Sequence, residues 1–347
     1  MKNNFKKNGR MVIRFETPEE RAMIIKILEE QRGFLIDDEL KKSTTIHQYD
    51  TRTFVIDLKF KTYTYWIQPF IGAAMMSSGI RAYSAQEFFR IAELGFKTVP
   101  RFPVFHVPHT GNRLPFEMLP SINVSEDTFR RYHDLMCDTD VWQFIPKAYY
   151  GGDMTERFDI SRLMCDVERF IGPEEEMEQY GMGFCYEKAY DGIAIKIVTD
   201  EVKRLAKVYY DEHHARMNQL CQRHPRIVLF DLHSFSEGTL PEHIRKRAEK
   251  LPDVCIGIDN KFTPYELISR IEKRLDEVNL SHMINTPYCG SFVPNAVLNQ
   301  TSPCDLISVM LEFNKRIYCD ENGKADESRV VQIRKLMNRI IVDCVDL

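Results

Sequence analysis

The sequence predicts an α/β domain with a largely parallel or mixed sheet, preceded by a small α+β module. Two features of the chain from Phe102 onward point there. Short apolar runs, Val104-Phe105-His106-Val107 and Ile227-Val228-Leu229-Phe230, have the character of strands buried on both faces. Between and after them stand amphipathic stretches of helical period, Val198–Arg223, Thr263–Val278 and Ser328–Val342. Strands that alternate with helices make an α/β sheet, whose chemistry collects at the carboxyl ends of the strands. A third feature is the change of rhythm near Lys97–Pro103, where two prolines interrupt the pattern. It divides the chain into residues 1–100 and residues 101–347.

The first segment reads as follows. Thr17-Pro18-Glu19-Glu20 is a helix start, with threonine at the N-cap and proline at the first helical position. Met23, Ile24, Ile27 and Leu28 then fall on one helical face that ends near Gly33. The β-rich runs Thr53–Phe60 and Thr62–Gln68 suggest a hairpin or a bent strand. Ser84-Ala85-Gln86-Glu87 is a capping box that opens a second helix stopping at Gly95. Nothing in this segment looks catalytic, and its charged and aromatic residues read as ordinary surface and core.

Composition narrows the function. Among 347 residues, 47 Lys+Arg against 51 Asp+Glu leave a net charge of −4, which gives no electrostatic reason to expect nucleic acid or an anionic membrane as partner. No apolar run approaches the ~20 residues that span a bilayer. The opening MKNNFKKNGRMVIRF has positive charge without the uninterrupted apolar core of a signal peptide. The nine cysteines are odd in number and scattered, with no CxxC pair, as expected for reduced thiols in the cytoplasm rather than a disulfide framework or a cysteine zinc site. Any metal must be sought among His, Asp and Glu. The acidic run Glu174-Glu175-Glu176 reads as solvated.

Four places stand out. In Val107-Pro108-His109-Thr110-Gly111-Asn112 a strand ends in an imidazole where the chain turns sharply and a glycine lets the backbone approach a ligand; a lone histidine is also commonly a structural hydrogen-bonder. In Phe230-Asp231-Leu232-His233-Ser234-Phe235, Asp231 and His233 are two apart and share a strand face, so the carboxylate is placed to orient a metal-bound imidazole; the plain alternative is a polar strand end. Arg162 and Arg169 flank an apolar stretch with Asp166 and Glu168. They read either as an internal salt-bridge network or as carboxylate recognition by planar guanidinium forks. Finally, Glu312 lies inside the strand-like run Val309–Asn314, where an ionised carboxylate is costly unless paired; otherwise it is a general base tuned by its surroundings.

These blocks, Pro108-His109-Thr110-Gly111, Ser161-Arg162 with Asp166-Val167-Glu168-Arg169, Asp231-Leu232-His233-Ser234 and Leu311-Glu312, stand in the order of the N-formylglutamate amidohydrolase family, which the chain resembles over residues 102–345. Asn285-Thr286-Pro287-Tyr288-Cys289-Gly290 is similar to that family's Asn-x-x-aromatic-x-Gly segment. More distantly, the His-Ser-aromatic strand and the Asp166–Phe170 run resemble zinc carboxypeptidases and aspartoacylases. Two departures stand beside the match. Asn112 occupies the place where the carboxypeptidase His-x-x-Glu pattern has its ligating Glu, and Glu168 stands where the family more often has Asn. Residues 1–100 have no counterpart in the compact family.

The resemblance implies a three-layer α/β/α sandwich around a mixed sheet, and a zinc-dependent amidohydrolase acting on a small-molecule N-acyl amino acid, N-formyl-L-glutamate foremost. It implies His109 and His233 as metal ligands. The third ligand is expected in Asp138-Thr139-Asp140, with Asp140 favoured over Asp138. Asp231 then supports His233 from behind, Glu312 moves the proton, Arg162 faces the oxyanion, and Arg169, Asn285 and Tyr288 bind substrate. Two alternatives remain open at this level: a catalytically silent descendant that binds a ligand or protein, and a carboxypeptidase-like peptidase.

Overall fold

The computed structural model describes residues 101–347 apart from 241, 246–248, 322 and 346. Before them it describes Thr17, Glu19, Met23 and the strands β1 (Asn8–Arg14), β2 (Thr45–Asp50), β3 (Thr53–Lys59) and β4 (Arg81–Ser84). The chain divides into two compact units, Met1–Pro100 and Arg101–Val345.

In the first unit the four strands form one sheet in the order β2-β3-β1-β4, with β1 antiparallel to β3 and parallel to β4. The run expected at Thr53–Phe60 is β3, which pairs antiparallel with the preceding β2 on one side and with β1 on the other. Glu19 and Met23 are helical and exposed. The rest of that helix, the run Thr62–Gln68 and the helix expected after Ser84 lie outside the described residues.

The second unit carries a six-stranded sheet in the order β6-β5-β7-β10-β8-β9, built from β5 (Phe102–Val107), β6 (Thr155–Arg157), β7 (Arg226–Phe235), β8 (Val254–Gly257), β9 (His282–Ile284) and β10 (Asp305–Asn314). Strands β6, β5, β7 and β10 run parallel, and β8 opposes β10, so the sheet is mixed. The main helices are α1 (Glu126–Met136), α2 (Asp200–Arg223), α3 (Tyr265–Asp276) and α4 (Glu327–Cys344). Their starts follow capping chemistry. Thr199 accepts the Val202 N–H at the head of α2, and Asp326 accepts those of Ser328 and Arg329 at the head of α4. The three helices expected from periodicity are therefore α2, α3 and α4, with ends shifted by a residue or two.

Strand parity decides what faces what. Phe105 and Val107 of β5, Val228, Phe230 and Leu232 of β7, and Val309, Leu311 and Phe313 of β10 pack into one core with the apolar faces of α3 and α4. Side chains alternate along a strand. His106, Asp231, His233 and Glu312 are thereby turned to the opposite face, where α2 lies. A second core joins α1, α2 and the segment around Phe158–Val167. Among the described residues no helix is long and apolar enough to cross a membrane.

Candidate functional site

The parallel strands place their polar residues in rows. His233 and Glu312 are register partners on β7 and β10, and Asp231 is the partner of His106 on β5. His109 lies just past β5 and reaches the same place. Gly111 lets this turn press against the chain ahead of Arg162: a Cβ there would stand 2.3 Å from the Asp159 carbonyl carbon. The glycine thus serves a close approach of backbone to backbone rather than of backbone to ligand. The stretch from Arg162 to Phe170 is a series of turns, not a strand, and Asp166 anchors it by taking the Glu168 N–H on its own side chain.

Both imidazoles are almost fully buried. Their Nε2 atoms are committed: His109 Nε2 donates to Asp166 Oδ1 at 2.8 Å and His233 Nε2 to Asp231 Oδ1 at 3.0 Å. In the uncharged form that binds a metal an imidazole carries one N–H, so these bonds would leave each Nδ1 as the lone pair offered to the ion. The two Nδ1 atoms nevertheless face each other at 3.2 Å. Asp138 Oδ2 completes a triangle, 3.6 Å from His109 Nδ1 and 3.4 Å from His233 Nδ1. That oxygen is buried and has no hydrogen-bond partner, whereas Asp138 Oδ1 accepts the Ser234 hydroxyl at 3.0 Å. Ligand atoms ~2.0–2.2 Å from a tetrahedral zinc ion stand about 3.3–3.6 Å from one another. The residues therefore fit a metal: two lone pairs and an orphaned carboxylate oxygen converge, with a carboxylate behind each imidazole.

Glu168 offers another triad with the same histidines, its Oε2 lying 3.4 and 3.2 Å from their Nε2 atoms. Those nitrogens would have to abandon Asp166 and Asp231 to bind there, so the Nδ1 side is the better donor set.

The charges respond to this crowding. Burial opposes ionisation of His233, yet Glu168, Asp231 and Asp138 hold its pKa well above the usual value. His109 is raised too, against burial and Arg162, by Asp166 and Asp138. Asp138 and Asp166 stay far below the ordinary carboxylate range despite burial; the imidazoles do this for Asp138, and Arg162, His109 and Arg169 do it for Asp166. Glu312 is different. Burial pushes it up to about 8, and its Oε2 has no hydrogen-bond partner. A carboxyl with a pKa near neutrality beside that triangle is suited to taking and returning a proton.

A family model for N-formylglutamate amidohydrolases matches residues 103–319, well over half of the sequence. The chain belongs to the N-formylglutamate amidohydrolase family. It is similar to the crystal structure of N-formylglutamate amidohydrolase from Ralstonia eutropha JMP134, at 20% identity and a TM-score of 0.56 over 70% of this chain and 92% of that one, which shows a shared fold. A bacteriophage poly-γ-glutamate hydrolase also matches, at 13% identity and a TM-score of 0.24 over 36% of this chain and 56% of that one. No curated protein matches.

For this amidohydrolase family member, the structure brings His109, His233, Asp231 and Glu312 together and leaves Asp140 apart. Asp140 heads the 3-10 turn Val141–Phe144, where its carboxylate accepts Gln143 Nε2 at 2.8 Å and the Thr139 hydroxyl at 3.3 Å. The neighbour, Asp138, takes the inner position because its N–H bonds the His109 carbonyl at 2.8 Å and draws it inward. Arg162 turns onto Asp166, giving it Nε and Nη2 hydrogen bonds of 3.1 and 2.8 Å. Arg169 lies farther from Asp166, at 3.9 Å, with a buried Nε that has no hydrogen-bond partner. Both arginines and Tyr288 line a cavity of about 420 Å³ with Asp138. Asn285 is not among its lining residues. At φ 53° it uses its side-chain oxygen to accept the Ile258 N–H at 2.9 Å, which holds the turn after β9. Glu175, from the acidic run expected in solvent, folds back to accept the N–H groups of Phe170 and Met177.

Sequence reading passed over two contributors. Asp166 was legible only as part of a charge cluster. Tyr186, whose hydroxyl donates to Asp166 at 3.1 Å, gave no signal in the chain.

Proposed function

We propose that residues 101–347 form a zinc-dependent amidohydrolase domain that cleaves the N-acyl amide of an acidic amino acid, with N-formyl-L-glutamate, giving L-glutamate and formate, as the leading substrate. The observation that carries this reading is the triangle of His109 Nδ1, His233 Nδ1 and the partnerless Asp138 Oδ2, set beside Glu312. His109, His233 and Asp138 would hold the ion, and Asp138 replaces Asp140 as third ligand. A bound zinc lowers the pKa of water from about 15.7 toward about 7 and polarises the acyl carbonyl.

The protein's own groups do the rest. Glu312 takes one proton from the attacking water and returns it to the nitrogen as the C–N bond breaks, giving formic acid and a neutral amine; the acid's own proton then passes to the amine, so formate and an ammonium group leave with no net change at Glu312. Asp166 and Asp231 keep the histidine protons on Nε2. Arg169 offers a buried, unused donor to a substrate carboxylate in the cavity wall. Arg162 adds positive charge to the same wall, which favours the developing oxyanion, while two of its donors hold Asp166. Tyr288 closes the cavity beside them. All nine cysteines are free, which suits a reducing compartment such as the cytoplasm.

The test is hydrolysis of a panel of N-formyl, N-acetyl and peptide substrates by metal-depleted protein, before and after adding zinc. Zinc-restored release of formate from N-formyl-L-glutamate is the expected result. Zinc-dependent release of C-terminal residues from peptides would replace the amidohydrolase reading with a peptidase, and no turnover in a zinc-loaded protein would make it a binding descendant of the fold.

A further inference from the structure

Behind the donor triangle the same sheet face carries a second line of buried polar groups that the reaction above does not use. His106 is the register partner of Asp231 on one side and of Glu156, on β6, on the other. His106 Nδ1 stands 2.8 Å from Asp231 Oδ1, and His106 Nε2 stands 3.0 Å from Nε2 of His213, which α2 brings down onto the sheet. His213 Nδ1 lies 3.4 Å from Glu156 Oε1, and Glu156 accepts Arg216 Nε at 2.7 Å. Both histidine side chains are fully buried, and the Phe292 ring stacks on His106.

The protons on this line can be placed. An ionised carboxylate only accepts, so the 2.8 Å contact keeps an N–H on His106 Nδ1. Burial pushes His213 down to about 3, so near neutrality it is an uncharged ring with one N–H. That N–H points either to His106 or to Glu156. In both arrangements His106 still donates to Asp231. Asp231 Oδ1 therefore receives two imidazole N–H groups, from His106 and His233, while Oδ2 takes the Phe292 N–H at 3.1 Å. Without His106 the carboxylate loses the shortest of the three bonds that hold its rotation and keeps those from His233 and the Phe292 N–H.

We propose that His106, backed by His213, is a positioning residue for metal binding: it fixes Asp231 so that the His233 ring keeps Nε2 on Asp231 and presents Nδ1 toward Asp138 Oδ2. The inference rests on the metal centre proposed above and adds residues outside its ligand set.

The experiment is chelator competition giving zinc dissociation constants for the wild type, His106→Leu and His106→Asn, with the melting temperature of each metal-free protein. Asn puts an amide N–H near the place of Nδ1–H, whereas Leu keeps bulk and donates nothing. His106→Leu should weaken zinc about 10-fold, the low end of the range for losing an outer partner of a ligand because Asp231 itself remains, and His106→Asn by no more than about threefold. Equal affinity in all three proteins overturns the proposal. So does an equal loss in both variants, because packing rather than the donated proton would then be responsible. Should His106→Leu not fold, His106→Phe, a ring of similar size with no donor, is compared with His106→Asn, and the absence of a difference overturns it. A wild type that binds no zinc overturns the metal centre and this inference together, whereas a zinc-binding wild type with unaffected variants overturns the inference alone.

Discussion

Asp138→Asn separates the metal-centre geometry from its neighbours. The amide keeps the side chain's size and can keep the Ser234 bond on Oδ1. It removes the charge at Oδ2 and turns a neutral group toward the two Nδ1 atoms 3.4–3.6 Å away. Four-ligand structural zinc sites bind with roughly 10–16 kcal/mol, so one protein ligand is worth roughly 3–4 kcal/mol. At about 1.4 kcal/mol per decade, that is a loss of ~10²–10³-fold in zinc affinity. Asp140→Asn disturbs only the bond from Gln143 at the head of the Val141–Phe144 turn and should change affinity by no more than about threefold. The assay is a titration against a chromophoric chelator at several pH values. In the metal-free protein both histidines have raised pKa values, so zinc must displace protons, and wild-type affinity should rise with pH through that window. Zinc retained by Asp138→Asn and lost by Asp140→Asn would refute the triangle and return the third ligand to Asp140.

The other outcomes can be read from single variants. Glu312→Gln keeps the shape but accepts no proton, so kcat should fall ~10²–10⁴-fold with zinc content unchanged; loss of zinc instead would make Glu312 a ligand. Arg169→Ala should chiefly raise KM, because its unused donor meets a carboxylate in ground and transition states alike, and a loss confined to kcat would contradict that role. Arg162→Ala bears on acid stability. The pKa of Asp166 is well below normal in the folded state, so its stabilising contribution is present above the unfolded value of about 3.9 and is lost as pH falls through the folded value. Removing Arg162 raises that folded value, and the acid-unfolding midpoint should move to higher pH; an unmoved midpoint would show that Arg162 does not hold Asp166 ionised.

Much of this arrangement was legible one residue at a time. The parity of β7 put Asp231 and His233 on one face before any fold was known, since a strand's side chains alternate whatever sheet it joins. The apolar run around Glu312 announced a strand with a misplaced carboxylate, and helical period marked α2 and α4 to within two residues of their ends. A sequence records such periods and local hydrogen-bonding preferences because they act within a few residues. Which of Asp138 and Asp140 points inward depends on an N–H bond from Asp138 to the His109 carbonyl, made across 29 positions of chain, and both residues look alike in the text. Arg162 and Arg169 likewise differ only in their surroundings: one is claimed by Asp166, while the other keeps a buried donor unpaired. The parallel register that sets Glu312 beside His233, and His106 beside Asp231, is fixed by pairing between strands far apart in sequence. The sequence by itself determined that Asp231 and His233 share a strand face and that Glu312 lies within an apolar strand. The tertiary structure alone decided which atoms converge, because convergence is set by contacts between distant segments competing for the same buried hydrogen bonds.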